Sequence, residues 1–235
     1  MADVNDSIIS YVEMCQREGT SLQRGMNFQL GRTHSVILMS TRKNAPYADR
    51  LEEDGRVLVY EGHDVPRSDP SVDPKTADQP RSTPTGKLTQ NGRFEAAAKD
   101  YRQGKRPAER VRVYEKIYTG IWSYNGVFRL VDAWTETSGD RSVFKFRLEV
   151  DNEDESGDGS GHAVASQQPH RRIIPSAVKL EVWKRDQGRC VACGSSDELH
   201  FDHDLPYSLG GTSLTAANVQ LLCARHNLSK GAKIL

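Results

Sequence analysis

Two ligand pairs near the C-terminal end constrain this chain more than any other feature. Cys190-Val191-Ala192-Cys193 and Cys223-Ala224-Arg225-His226 each hold two metal-binding side chains at x2 spacing, which lets both side chains of a tight turn reach one ion. Four soft sulfur and nitrogen ligands close a tetrahedral Zn²⁺ site, and the pattern uses three of the four cysteines in the chain. A block of about 60 residues has little core of its own, so a structural zinc would supply much of its stability. The N-terminus, Met1-Ala2-Asp3-Val4-Asn5-Asp6, lacks the basic start and apolar run of a signal peptide, and no stretch is apolar enough to span a membrane. A cytoplasmic location with no membrane partner is expected, and there clustered cysteines favour a metal over disulfides.

Charge divides the chain further. Lys and Arg total 32 against 32 Asp and Glu, but residues 151–170 contain five acidic residues and no Lys or Arg. The blocks on either side are therefore mildly basic, which is compatible with a nucleic-acid partner. The stretch Asp151-Asn152-Glu153-Asp154-Glu155-Ser156-Gly157-Asp158 has almost nothing to bury, so residues 151–172 are expected to form a flexible acidic linker between two domains, 1–150 and 173–235. A proline-rich segment from His63 to Lys87 reads as a long loop inside the first domain.

The first domain reads mostly as strand. Ser35–Met39, Arg56–Tyr60 and Arg110–Tyr114 are short strand-like runs. Phe144, Phe146, Leu148 and Val150 alternate with Lys145, Arg147 and Glu149, which predicts one buried and one wet face. Helical pattern is confined to Asp6–Arg17 and to about Gly92–Tyr101, with a further helix expected from near Val219. A half-open β barrel or strongly curved sheet with a few helices is the natural reading.

Between the ligand pairs lie Leu199-His200-Phe201-Asp202-His203-Asp204-Leu205-Pro206, Gly210-Gly211 and Asn218, followed by His226-Asn227-Leu228-Ser229-Lys230. In these residues, over 176–234, the chain resembles the HNH nucleases, whose ββα-metal fold packs a two-stranded ribbon on a helix around one catalytic divalent ion. The resemblance implies that His203 is the general base, that Asp202 and Asn227 hold Mg²⁺ or another divalent cation, and that Asn218 fixes the ribbon loop and orients His203. It also implies a phosphate contact for Lys230. His226 stands where a fourth Cys is usual, and His200 is expected at an exposed strand position.

Residues 25–150 carry a second ordered set of segments. These are Gly31-Arg32-Thr33-His34-Ser35-Val36, Ala45-Pro46-Tyr47-Ala48-Asp49-Arg50, Val57-Leu58-Val59-Tyr60-Glu61-Gly62, Lys87-Leu88-Thr89-Gln90-Asn91 and Tyr124-Asn125-Gly126. The set resembles the SRA (YDG) domains, with Tyr-Asn-Gly in place of Tyr-Asp-Gly. The resemblance implies that Tyr47 and Tyr60 sandwich a 5-methylcytosine flipped out of duplex DNA and that Asp49 accepts from its amino group. The loop from His63 to Lys87, with Arg67, Lys75 and Arg81, and the segment Met26–Gln29 are candidates to enter the grooves.

Together these readings predict an α+β protein: an N-terminal SRA-like curved β barrel with flanking helices, and a small C-terminal HNH domain with a structural zinc. The expected activity is that of a modification-dependent restriction endonuclease acting on double-stranded DNA with modified cytosine. Because one HNH site cuts one strand, a homodimer is expected. The alternatives are the same nuclease with a reader for 5-hydroxymethylcytosine or phosphorothioate, and a non-catalytic methyl-DNA-binding protein.

Overall fold

The computed structural model describes residues 5–30, 33–66, 73–151, 173–205 and 211–230. The expected linker from residue 152 onward, Arg67, and the Pro206 and Gly210 positions of the ribbon loop lie outside these residues.

The chain starts with a strand and not with a helix at Asp6. Ser7–Ser10 forms β1 because its alternating burial lets it pair with a later strand, and helix α1 (Tyr11–Glu18) begins only afterwards. A capping box sets that boundary: the Ser10 hydroxyl accepts from the Glu13 N–H while the Glu13 carboxylate accepts from the Ser10 N–H. Such a cap contributes about 1 kcal/mol. Short β2 (Met26–Asn27) leads to β3 (Ser35–Met39), then β4 (Arg50–Glu52) and β5 (Val57–Glu61). Helix α2 (Gln90–Arg102), capped by the Thr89 hydroxyl, precedes three long strands, β6 (Glu109–Tyr118), β7 (Ile121–Ser138) and β8 (Arg141–Val150).

The C-terminal part adds α3 (Ser176–Arg185), the hairpin β9 (Leu199–His203) and β10 (Val219–Cys223), and α4 (Ala224–Lys230). Val219 thus opens a strand instead of a helix. Val219, Leu221 and Leu222 are buried against α3, and the helix starts only after Cys223.

All ten strands among the described residues belong to one sheet, ordered β10-β9-β1-β7-β6-β3-β2, with β8, β5 and β4 branching from β7. The 18-residue β7 makes the branch possible: its first part pairs with β1 and β6, and its later part pairs with β8. The expected barrel is not closed. No ladder joins β3 to β4 or β5 among the described residues, and side chains bridge that gap instead. The Asp49 carboxylate accepts the Ser40 and Glu61 N–H groups, each at 3.0 Å, and the Tyr60 hydroxyl donates to the Leu38 carbonyl. These bonds satisfy backbone groups that a closing strand would otherwise have paired.

The main core lies between the sheet and α2, where Phe94, Ala97 and Ala98 meet Leu58, Val113, Phe128 and Phe146. A second core unites α3 with the β9–β10 hairpin, through Val178, Val182, Phe201 and Leu221. Period-two alternation holds in β8 for Arg147 and Glu149, which are partly exposed, but not for Lys145. Lys145 is buried because its ammonium pairs with the buried Glu61 carboxylate at 2.9 Å. No helix among the described residues is long and apolar enough to cross a membrane.

Candidate functional site

The metal-binding side chains come from three local structures. Cys190 and Cys193 sit on a turn closed by the Gly194 N–H donating to the Cys190 carbonyl, and Gly194 adopts φ +76°, a left-handed value that glycine tolerates. Cys223 ends β10, and His226 lies in the first turn of α4. Their ligand atoms all lie within 4.8 Å of one another, with Cys193 Sγ to Cys223 Sγ at 3.9 Å and Cys190 Sγ to His226 Nδ1 at 3.5 Å. Tetrahedral zinc with bonds of about 2.3 Å to sulfur and 2.0 Å to nitrogen separates its ligands by roughly 3.5–3.8 Å, so this Cys₃His group fits such an ion. Burial pushes the Cys190 thiol up, yet the backbone amides of Cys223 and Ala192 draw it down to about 6, toward the thiolate that a metal needs. Among the described residues this is the one group of three or more His, Cys, Asp and Glu able to share an ion.

Pinned at that end, the hairpin presents its other end as a polar cluster. In the β9–β10 register His203 faces Val219 and Asp202 faces Gln220. His203 Nε2 lies 2.8 Å from the Ser213 hydroxyl, and burial holds the imidazole below its ordinary pKa, hence neutral near pH 7. Asn218 clamps the connection after β9: its carbonyl accepts the Leu205 N–H, and its amide donates to the Leu205 and Thr212 carbonyls. It therefore reaches the segment that carries His203 through the backbone, while Ser213 touches the imidazole itself.

Lys230 is buried. Its ammonium stands 2.7 Å from Asp202 Oδ2 and donates to the His203 carbonyl. Asp202 Oδ2 has no hydrogen-bond partner of adequate geometry, so it is a buried oxygen facing a cation. Asn227 lies three residues before Lys230 on α4, on the same side of the helix.

His200 departs from its expected exposed position. It is buried because β1 lies along the outer side of β9, with Ser7 opposite His200. Arg185 and Asp186, which the sequence reading did not single out, fasten α3 to the hairpin. The Arg185 guanidinium donates to the Ala216 and Val219 carbonyls, and Asp186 accepts the Leu221 N–H.

On the N-terminal sheet, a cavity of about 630 Å³ is lined by Arg24, Tyr47, His63, Lys75, Asn91 and Arg93, among others. Tyr47 offers an aromatic face there: the His63 ring stacks on it at 5.7 Å, and the Lys75 ammonium lies 4.0 Å from its centroid. Tyr60 is not part of this lining. Its ring is 1% exposed, and its hydroxyl lies 3.4 Å from His63 Nε2. Asp49 also stays behind the cavity as the bridge described above, and burial pushes its carboxyl up to about 7. Tyr47 and His63 are thus the aromatic pair at the opening, with Tyr60 beneath His63.

His63 is pinned at its backbone by Asn91, which accepts from the His63 N–H and donates to its carbonyl, both at 2.8 Å. Burial lowers its imidazole to about 4, so it is neutral near pH 7. A lone histidine three residues beyond a tyrosine carries no sequence signal for this role. The acidic residues of the His63–Lys87 loop are mostly engaged internally: Asp64 pairs with Arg141 and Lys75, and Asp78 accepts the Ser142 N–H.

The described residues thus define an α+β protein with one branched mixed sheet, an aromatic-lined cavity and a Cys₃His metal group. No protein-family model matches the chain, and no curated protein matches it. Solved structures do show similarity. One is the SUVH5 SRA domain in complex with hemimethylated CG DNA, at 22% identity and a TM-score of 0.44, covering 63% of this chain and 90% of that one. Another is the modification-dependent TagI restriction endonuclease, at 19% identity and a TM-score of 0.41, covering 97% of this chain and 77% of that one.

Proposed function

We propose that this protein is a DNA endonuclease directed by a modified cytosine, reading the base at the Tyr47–His63 cavity and hydrolysing a nearby phosphodiester at the β9–β10–α4 element. The observation that carries the reading is the gathering of Asp202, His203, Asn218 and Lys230 at one end of a hairpin whose other end holds the Cys₃His group. In this reading the neutral His203 takes a proton from the attacking water. Asp202 and Asn227 would hold a divalent cation, which when bound neutralises charge on the scissile phosphate. Zinc at the Cys₃His group is structural, and two copies of the chain act together to break both strands.

At the reader, a flipped base costs a few kcal/mol to extrude, which stacking on Tyr47 and polar contacts must offset. A cavity of 630 Å³ is large enough for a single base. The Tyr47→Ala protein tests this assignment: loss of discrimination between methylated and unmethylated duplexes in a binding titration is expected, and unchanged discrimination would remove Tyr47 from the reader.

One observation favours a non-catalytic methyl-DNA-binding protein instead. The Lys230 ammonium already neutralises Asp202 without a metal. Calorimetric titration with Mn²⁺ separates the two readings, since the catalytic one requires a binding event that the Asp202→Asn protein lacks.

A further inference from the structure

The C-terminal element is attached to the N-terminal sheet at three places. Ser7 of β1 pairs on one side with Tyr124 and on the other with His200, so β1 bridges β7 to β9. Consecutive residues Ile173 and Ile174 enter different cores, the first the main core of the sheet, where its N–H donates to the Gly55 carbonyl, and the second the core of α3 and the hairpin. The third attachment is a buried polar cluster. Lys179 of α3 is 0% exposed, and its ammonium donates to Asn125 Oδ1 at 2.6 Å, Glu115 Oε2 at 3.0 Å and Ser123 Oγ at 3.1 Å. Asp6 Oδ1 stands 3.4 Å away.

Asp6 Oδ1 faces the ammonium without a hydrogen bond, while the other partners bond one another. Asn125 donates to Glu115 Oε2 at 3.0 Å, the Ser123 hydroxyl donates to Asn125 Oδ1, and the Ser176 hydroxyl donates to Glu115 Oε1. The carboxylate, amide and one hydroxyl come from β6 and β7, while the cation comes from α3. A buried carboxylate left without its cation is strongly unfavourable, so the sheet and α3 are held to a single mutual placement. Asn at 125 suits this centre, because its amide donates to Glu115 where an Asp carboxylate would repel it.

We propose that the Lys179 cluster is a positioning latch that fixes the β9–β10–α4 element on the reader sheet, so that cleavage falls at a set offset from the recognised base. This rests on the proposed function. Were the element held by nothing but a random-coil tether of about 20 residues, it would range over roughly 25 Å, or about 7 base pairs of duplex. Latched, it cuts at one or two adjacent phosphates. Lys179 acts through the placement of His203 and touches no substrate.

The test maps cut positions at nucleotide resolution on a duplex with one modified cytosine, using wild type and the Lys179→Met/Glu115→Gln pair. The pair removes both charges and keeps the side-chain sizes. Amide hydrogen exchange is followed in parallel, and Asn125→Asp, which sets a second carboxylate against Glu115, serves as an independent disruption. The wild type is expected to cut narrowly. Both variants are expected to widen cleavage beyond the one or two phosphates of the wild type, with the roughly 7 base pairs of a free tether as the upper limit, and to show faster exchange in α3 and β9 but not in α2 or β8. A broad wild-type pattern, or a narrow pattern in variants whose α3 exchange has risen, would overturn the latch. If no duplex is cut, the proposed function fails and the cleavage offset with it, while exchange still decides the placement by the Lys179 cluster: it stands if β9, α3 and β7 are protected together in the wild type and lose that joint protection in both variants, and falls if β9 and α3 open independently in the wild type or stay protected in the variants.

Discussion

Replacing His203 with alanine is expected to slow DNA cleavage by about 10²–10⁴-fold, the usual contribution of a positioned general base, while binding of modified DNA is retained. The imidazole is prepared in three ways. Burial keeps it neutral and so able to accept a proton. The Ser213 hydroxyl, 2.8 Å from Nε2, limits the ring's rotation. The backbone beneath it is fixed by the pairing with Val219 and by the Lys230 ammonium on its carbonyl. Ser213→Ala removes the partner and leaves the base, so its loss is expected to be smaller. Single-turnover cleavage separates these effects from product release. His203→Ala cutting as fast as wild type would refute the assignment of the base.

Removal of the Cys₃His metal is expected to unfold the hairpin and leave the N-terminal sheet folded. The hairpin's own core is small, and Cys190 and Cys223 form part of it. Structural zinc contributes an apparent binding free energy of about 10–16 kcal/mol in small zinc domains, more than that core could replace. Cys223→Ser, or a strong chelator on the wild-type protein, should therefore abolish amide protection in β9 and β10 and retain it in α2 and β8. Metal analysis should find one zinc per wild-type chain. Protein that purifies without metal yet keeps a protected hairpin would show that the four side chains serve another purpose.

The parts of this architecture that the sequence made legible are those written locally. Ligands two residues apart declare a shared ion because the turn between them is short, and alternation in β8 declares a buried face because successive side chains point to opposite sides. The hidden parts depend on long-range pairings. Lys179 lies 64 residues from Glu115 and reads in isolation as one more helix cation. Lys145 breaks the alternation because Glu61, 84 residues away, offers it a buried partner. His200 seemed exposed because nothing near it announced that β1 would cover its strand. The gap that leaves the curved sheet unclosed is hidden for a related reason: one carboxylate, Asp49, satisfies the amides of Ser40 and Glu61 across it. The same bridging takes Asp49 away from the cavity and leaves His63 beside Tyr47.

The most direct test of the account is cleavage, in the presence of Mg²⁺, of one plasmid prepared with cytosine unmodified, 5-methylated or 5-hydroxymethylated. The account predicts that only a modified form is cut. Equal cutting of all three would contradict the reader assigned to the N-terminal sheet, and no cutting of any form would contradict the nuclease.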